Sequence, residues 1–198
     1  MDIRTKAFLS VWSALMGALL GGGLAWGLWS SPAEENEPVP VVPSPCNLVD
    51  RALLQEIVPD AQILSERPPD EAGSEGWISS GCTFSSGGRR YLSVDVHRYG
   101  HMEIRRRRSH ETITVTAVKA AEESFRSKVE HPEIACRPQP ISGVGEQAAA
   151  CAGTRRDEPS YLVVARARQT VVVVRADSPV PGRERRLHRL TATALERA

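Results

Sequence analysis

Aromatic residues make up only 5% of this 198-residue chain, and lysine is nearly absent: of 25 basic residues, all but Lys6, Lys119 and Lys128 are arginine. A shortage of aromatics removes the stacking platforms on which single-stranded nucleic acid is usually held. Charge of one sign is lacking too. Twenty-five basic residues against 24 acidic leave a net charge of +1, too neutral for a protein that works by bulk attraction to nucleic acid. Nucleic acid is therefore not an expected partner. With 41% hydrophobic residues the chain is too apolar to be disordered throughout, and it is too short for a large multidomain enzyme. The arginine excess, alongside many alanines, points to a GC-rich genome, so arginine clusters need discounting before they are read as sites.

Motifs that carry chemistry are missing as well. There is no Gly-x-Ser-x-Gly elbow, no Ser-x-x-Lys pair and no phosphate-binding loop; Gly143-Val144-Gly145 lacks the third glycine and the preceding strand, and reads as a turn. No Cys-x-x-Cys occurs, which argues against zinc and redox sites. His97, His101 and Glu103 are spaced closely enough to invite a metal reading, but their segment leaves a strand and contains Gly100, and His110-Glu111 lacks the second histidine of a zincin motif. A structural or surface role is the reading for these histidines. Glu122 and Glu123 lie beside Arg126, where pairing within a helix is the default. No catalytic residue, metal ligand or cofactor is assigned. The chain is read as a non-enzyme, with an exported cell-envelope hydrolase built from dispersed residues as the alternative.

What is present begins with the membrane. Residues 7–29 carry no charge, and 23 residues at 1.5 Å each give roughly 34 Å of helix, enough to cross a hydrocarbon core of about 30 Å. Trp26 and Trp29 stand at one end and Arg4 and Lys6 flank the other. Positive-inside logic puts residues 1–6 in the cytoplasm and everything after the anchor outside. Cleavage near Ala33, after Ser31-Pro32, is the alternative, and it would release a secreted domain. Gly17-x-x-x-Gly21 and Gly23-x-x-x-Gly27 have the spacing that lets two membrane helices approach, so homodimerisation through the anchor is open. Residues 30–45 hold five prolines and three glutamates, a composition that cannot bury a core and favours an extended stalk.

Residues 46–198 remain as one domain of ordinary size. Its four cysteines, Cys46, Cys82, Cys136 and Cys151, all follow the anchor. An even count in an oxidising compartment reads as two disulfides. Three connectivities are open, with sequential pairing preferred. Periodicity predicts a helix over 47–58, stopped by Pro59, then a loop to about Gly76. It predicts strands at 82–84 and 91–96 joined by a Ser-Ser-Gly-Gly turn, a helix marked by Val118, Ala121, Phe125 and Val129, and a strand carrying Cys151. Two further strands follow at 161–166 and 170–176, and a closing helix at 184–197. The unbroken valines at 171–174 suggest a strand covered on both faces. The expected fold is α+β: an antiparallel sheet of about five strands with helices packed on one face, preceded by one transmembrane helix.

Pro45-Cys46-Asn47-Leu48-Val49, then Gly81-Cys82-Thr83-Phe84, then Val144-Gly145-Glu146-Gln147-Ala148 ahead of a valine-rich hairpin and a last helix together resemble a known pattern. It is that of actinobacterial envelope lipoproteins of unknown function with a Cys-x-Leu-Leu start and a Cys-x-Trp strand. The domain is similar also to the two-disulfide extracytoplasmic sensor domains of mycobacterial receptor kinases. Val49 stands where those lipoproteins have the second leucine, Phe84 where they have tryptophan, and a helical anchor replaces the lipid-modified cysteine, so lipid anchoring is not carried over. The resemblance implies export, the fold, and a disulfide between Cys46 and Cys82. It implies no catalytic residues. Arg105, Arg106, Arg107 and Arg108 form the densest charge run, a candidate patch for an anionic wall polymer or an acidic envelope protein, since guanidinium binds phosphate in a fork. The functional expectation is a membrane-anchored extracytoplasmic binding, sensing or scaffolding domain of the bacterial cell envelope.

Overall fold

The computed structural model describes residues 42–69, 76–87, 90–105, 112–177 and 182–198. The proposed anchor, the glycine pairs within it, the Ala33 cleavage point and residues 30–41 of the stalk lie outside them. Among the described residues no helix is long and apolar enough to cross a membrane.

Among the described residues nine strands and four helices follow one another: α1 (Pro45–Leu48), α2 (Arg51–Ile57), β1 (Gln62–Arg67), β2 (Trp77–Ser86), β3 (Arg90–Tyr99), β4 (Met102–Arg105), β5 (Thr112–Val115), α3 (Ala117–Glu130), β6 (Gln139–Pro140), β7 (Gln147–Arg155), β8 (Glu158–Ala167), β9 (Thr170–Asp177) and α4 (Glu184–Arg197). The main sheet has seven strands in the order β1-β2-β3-β9-β8-β7-β6, every neighbour antiparallel, while β4 and β5 pair as a separate hairpin. The expected α+β class holds, but five strands were too few. The two added edges, β1 and β6, have no buried face: every residue of each is exposed. Alternation in sequence arises only where one face is buried, so these strands left no such signature.

Helices also cover both faces of the sheet rather than one. The valine run explains why. Along β9, Val172 and Val174 join Leu92, Val94, Val96 and Val163 in a core closed by Leu53, Leu54 and Ile57 of α2 and Leu187, Leu190, Ala194 and Leu195 of α4. Val171 and Val173 point the other way, into a second core with Leu162 and Val164, covered by Ala120 and Ala121 of α3 and by Ile134. A strand buried on both sides has no polar position to break the run.

The helix expected over 47–58 is two helices. Asp50 leaves helical geometry (φ −67°, ψ 118°) and its carboxylate accepts hydrogen bonds from Ala52 N (2.9 Å) and Leu53 N (3.1 Å), capping α2. An N-cap satisfies amide groups that an unbroken helix would have bonded otherwise, so the aspartate sets a start inside the periodic stretch. The closing helix at 184–197 stands as expected, with Leu187, Leu190, Ala194 and Leu195 all buried. In α3 the apolar face is rotated from the expected one: Ala117, Ala120 and Ala121 are buried, Val118 is 44% exposed, and Phe125 and Val129 are half-buried.

The cysteines pair sequentially. Cys46–Cys82 (Cα–Cα 5.2 Å) ties α1 to β2 in the first core, and Cys136–Cys151 (5.9 Å) ties the segment after α3 to β7 in the second. Gly153 is required beside the latter, because a Cβ there would fall on the carbonyl oxygen of Ala135, whose backbone bridges to Thr154. At the β1 edge, Ile63 and Leu64 are 57% and 58% exposed, and the register shifts between Ile63 and Ser65. Such an irregularity interrupts the regular ladder of an exposed edge and disfavours strand addition.

Candidate functional site

The α3 side of the sheet is apolar only where α3 lies on it. Beyond the helix the same face turns polar. Cα register places Gly81, Asp95 and Val173 in one row, Thr83, Ser93 and Arg175 in the next, and Tyr91, Asp177 and Ser160 in the one after. The last two rows and the β7–β8 hairpin form an open cleft of about 420 Å³ lined by Thr83, Tyr91, Arg155, Arg156, Glu158, Arg175 and Asp177.

Asp177 organises its basic groups. Its Oδ1 accepts a hydrogen bond from Ser160 Oγ (2.9 Å) and lies 3.4 Å from Arg175 Nε, while Oδ2 is 3.6 Å from Arg155 Nη1. Arg175 is held from its other end by Glu133, to whose Oε2 its Nη1 donates at 2.8 Å. The hairpin turn that carries Arg156 places it and Asp157 at φ +51° and +67°. Glycine or asparagine is the usual occupant of such a turn, because a side chain in the left-handed region costs roughly 1–2 kcal/mol.

A second, more apolar groove of about 590 Å³ runs between Phe125 and Val129 of α3 and the segment holding Pro138, Pro140, Ile141 and Val144. At its end Arg166, 5% exposed, is fully engaged: Nε donates to Gln147 Oε1 (3.0 Å), Nη1 donates to the Arg168 carbonyl (2.8 Å), and Nη2 lies 3.1 Å from Glu146 and 3.6 Å from Glu122. Glu122 thus reaches across to Arg166 instead of pairing only within its own helix. This cluster joins α3, β7 and β8.

On β1 and β3 the structure gathers titratable groups that sequence reasoning did not connect. Arg67 Nη2 donates to Asp95 Oδ1 at 2.9 Å across Gly81, where a Cβ would strike that carboxylate. Burial raises the Asp95 carboxyl above its ordinary 3.8, opposed first by Arg67. His97, on the same face of β3, is opposite Ser79 of β2, and its ring lies 6.1 Å from that of Trp77. Burial, with Lys128 and Arg67 adding, lowers its pKa from 6.5 to about 3. His101 sits in the turn before β4 and Glu103 on β4; among the described residues no three of His, Cys, Asp or Glu group so as to hold a metal. Arg105 closes β4, but its side chain and all of Arg106, Arg107 and Arg108 lie outside the described residues.

His97 has a measurable consequence. The unfolded chain takes up its imidazole proton near 6.5 and the folded domain only near 3, so stability is full above 6.5 and falls as the pH drops through that window. Asp95 acts oppositely, because its raised carboxyl favours the folded state as it protonates. The expected result for His97→Gln is a smaller loss of urea midpoint between pH 7 and pH 5 than in the wild type. Equal losses in both proteins would show that the imidazole carries no such penalty.

No family model matches the chain. No curated protein matches it either. Among solved structures it is similar to an uncharacterised protein of Mycobacterium smegmatis, the Rv0999 ortholog, with 14% identity over 76% of this chain and 98% of that one. The TM-score is 0.38, a likeness too slight to carry an argument about fold or activity.

Proposed function

We propose that the chain is a membrane-anchored extracytoplasmic binding domain of the bacterial cell envelope, serving as sensor or scaffold, without catalysis. The observation that carries this reading is the separation of the arginine cleft from the titratable groups of β3: neither Asp95 nor His97 lines it. An imidazole that protonates only near 3 is moreover a poor base near neutrality, where a general base works best with a pKa close to the working pH. The two disulfides support an oxidising compartment. The uncharged stretch at 7–29 and the proline-rich stalk support attachment to a membrane at a distance from it. An anionic wall polymer or an acidic envelope protein is the partner this chemistry suits.

The test uses the full chain with a C-terminal tag in a bacterial host. Protease added to spheroplasts is expected to remove the tag while the N-terminus stays with the membrane, and the detergent-solubilised protein is expected to co-sediment with purified wall sacculi. A tag protected from external protease would overturn the orientation. Release of soluble wall fragments by the purified protein would replace binding with hydrolysis.

A further inference from the structure

We infer that the cleft at the β7–β8 hairpin is a ligand site for a polyhydroxylated anion, a saccharide or polyol segment bearing phosphate or carboxylate. The inference rests on the envelope-binding reading above and names the site and the ligand chemistry for it.

Arg156 makes no ion pair or hydrogen bond with another described residue. It nevertheless occupies a left-handed position in a two-residue turn, where its side chain contributes strain and no local turn chemistry. Its neighbour Arg155 is nearly as uncommitted, because the closest carboxylate oxygen is 3.6 Å away, beyond hydrogen-bond reach. Each guanidinium carries five N–H donors in a planar fork suited to phosphate or carboxylate. Two such forks therefore stand side by side at the rim of a cleft, with most donors free for an outside acceptor.

The rest of the lining selects among anions. Asp177 and Glu158 would repel a bare anion, but carboxylates accept hydrogen bonds from hydroxyls, and Thr83 adds a hydroxyl of its own. Tyr91 supplies the aromatic body on which a sugar ring or polyol chain can rest. Arg175 is held on Glu133 and Asp177, so its position is set before any ligand arrives. A volume of about 420 Å³ falls in the range of small-molecule sites, and the open mouth lets a polymer pass through.

The experiment uses the full chain in nonionic detergent against three immobilised probes: poly(glycerol phosphate), polygalacturonate and neutral dextran. Binding to one or both anionic polymers, and none to dextran, is expected; which polymer binds separates a phosphate ligand from a carboxylate one. The deciding variant is Arg156→Gly, since glycine accepts the left-handed backbone and the variant should melt no lower than wild type. It is expected to weaken polymer binding at least tenfold, and Arg155→Ala with Arg156→Gly to abolish it. Arg185→Ala removes the same charge from the exposed side of α4 and is expected to change binding less than twofold. Equal weakening by Arg185→Ala would mean bulk charge and overturn the site, as would dextran binding or absence of polymer binding. If sacculi still bind while the cleft variants match wild type, this assignment fails and the envelope-binding reading stands; if sacculi do not bind at all, both fall.

Discussion

Removing both sulfurs of the first disulfide, as Cys46→Ala with Cys82→Ala, is expected to destabilise the domain by about 4 kcal/mol. The two residues are 36 apart in sequence, and a cross-link over a span of that size removes about that much loop-closure freedom from the unfolded chain. Geometry makes the native cost of losing it real as well. Cys82 is buried among Phe84, Leu92 and Val94, and the bond joins α1, a helix of one turn, to β2. A helix that short does not persist on its own. The companion pair, Cys136→Ala with Cys151→Ala, closes a separation of only 15 and is expected to cost about 3 kcal/mol. Equilibrium urea unfolding of the full chain in detergent measures both. A loss below about 1 kcal/mol for the first pair would show that α1 is held by its apolar contacts and not by the bond.

Leu190→Ala is expected to cost about 3–5 kcal/mol. Leu190 is completely buried on α4, in the core it shares with Val172, Val174 and the side chains of α2. Truncation loses the transfer free energy of the removed carbons and leaves a cavity that the antiparallel sheet beneath is too well braced to close. Val118→Ala on α3 is the internal control. Val118 appears apolar and periodic in sequence, yet it is 44% exposed, so its truncation should stay within about 0.5 kcal/mol. Thermal melts monitored by circular dichroism distinguish the two. Comparable shifts for both variants would mean that α3 packs through a different face from the one observed.

Those two leucine and valine positions mark how far the sequence could be read. In α4, Leu187, Leu190, Ala194 and Leu195 recur at helical spacing with charges between them, and one face is buried as periodicity requires. In α3, the small residues Ala117, Ala120 and Ala121 make the close contact, and larger Phe125 and Val129 are left at a groove. Size ranks residues by their capacity to be buried, but only the neighbouring surface decides which face is turned to it. β1 was missed for a related reason: Gln62–Arg67 is an edge with every side chain exposed, so no burial pattern was written into it.

The arginine cleft was still less legible. Sequence reasoning looks for clustered charge, and it found Arg105, Arg106, Arg107 and Arg108 because they are consecutive. Arg155 and Arg156 are only a consecutive pair at the β7–β8 hairpin, and Arg175 on β9 meets them only because β8 returns between β7 and β9. The one local hint was a hairpin turn of Arg156-Asp157 where asparagine and glycine would be at ease. Asp95 and His97 were likewise legible as same-face neighbours on an alternating strand, but not as groups half-buried near Arg67 and Lys128.

By itself, then, the sequence determined a charge-free apolar stretch long enough for a membrane, a proline-rich segment after it, an even set of cysteines and an α+β domain with its last helix in place. These follow from composition and from periods of two and 3.6, which are properties of the local chain. Tertiary structure alone decided that helices cover both faces of a seven-stranded sheet, that α3 packs through its alanines, and that Arg175 shares one cleft with the adjacent pair Arg155 and Arg156. Each of those depends on register across strands far apart in sequence, and a one-residue shift in register would exchange the two faces.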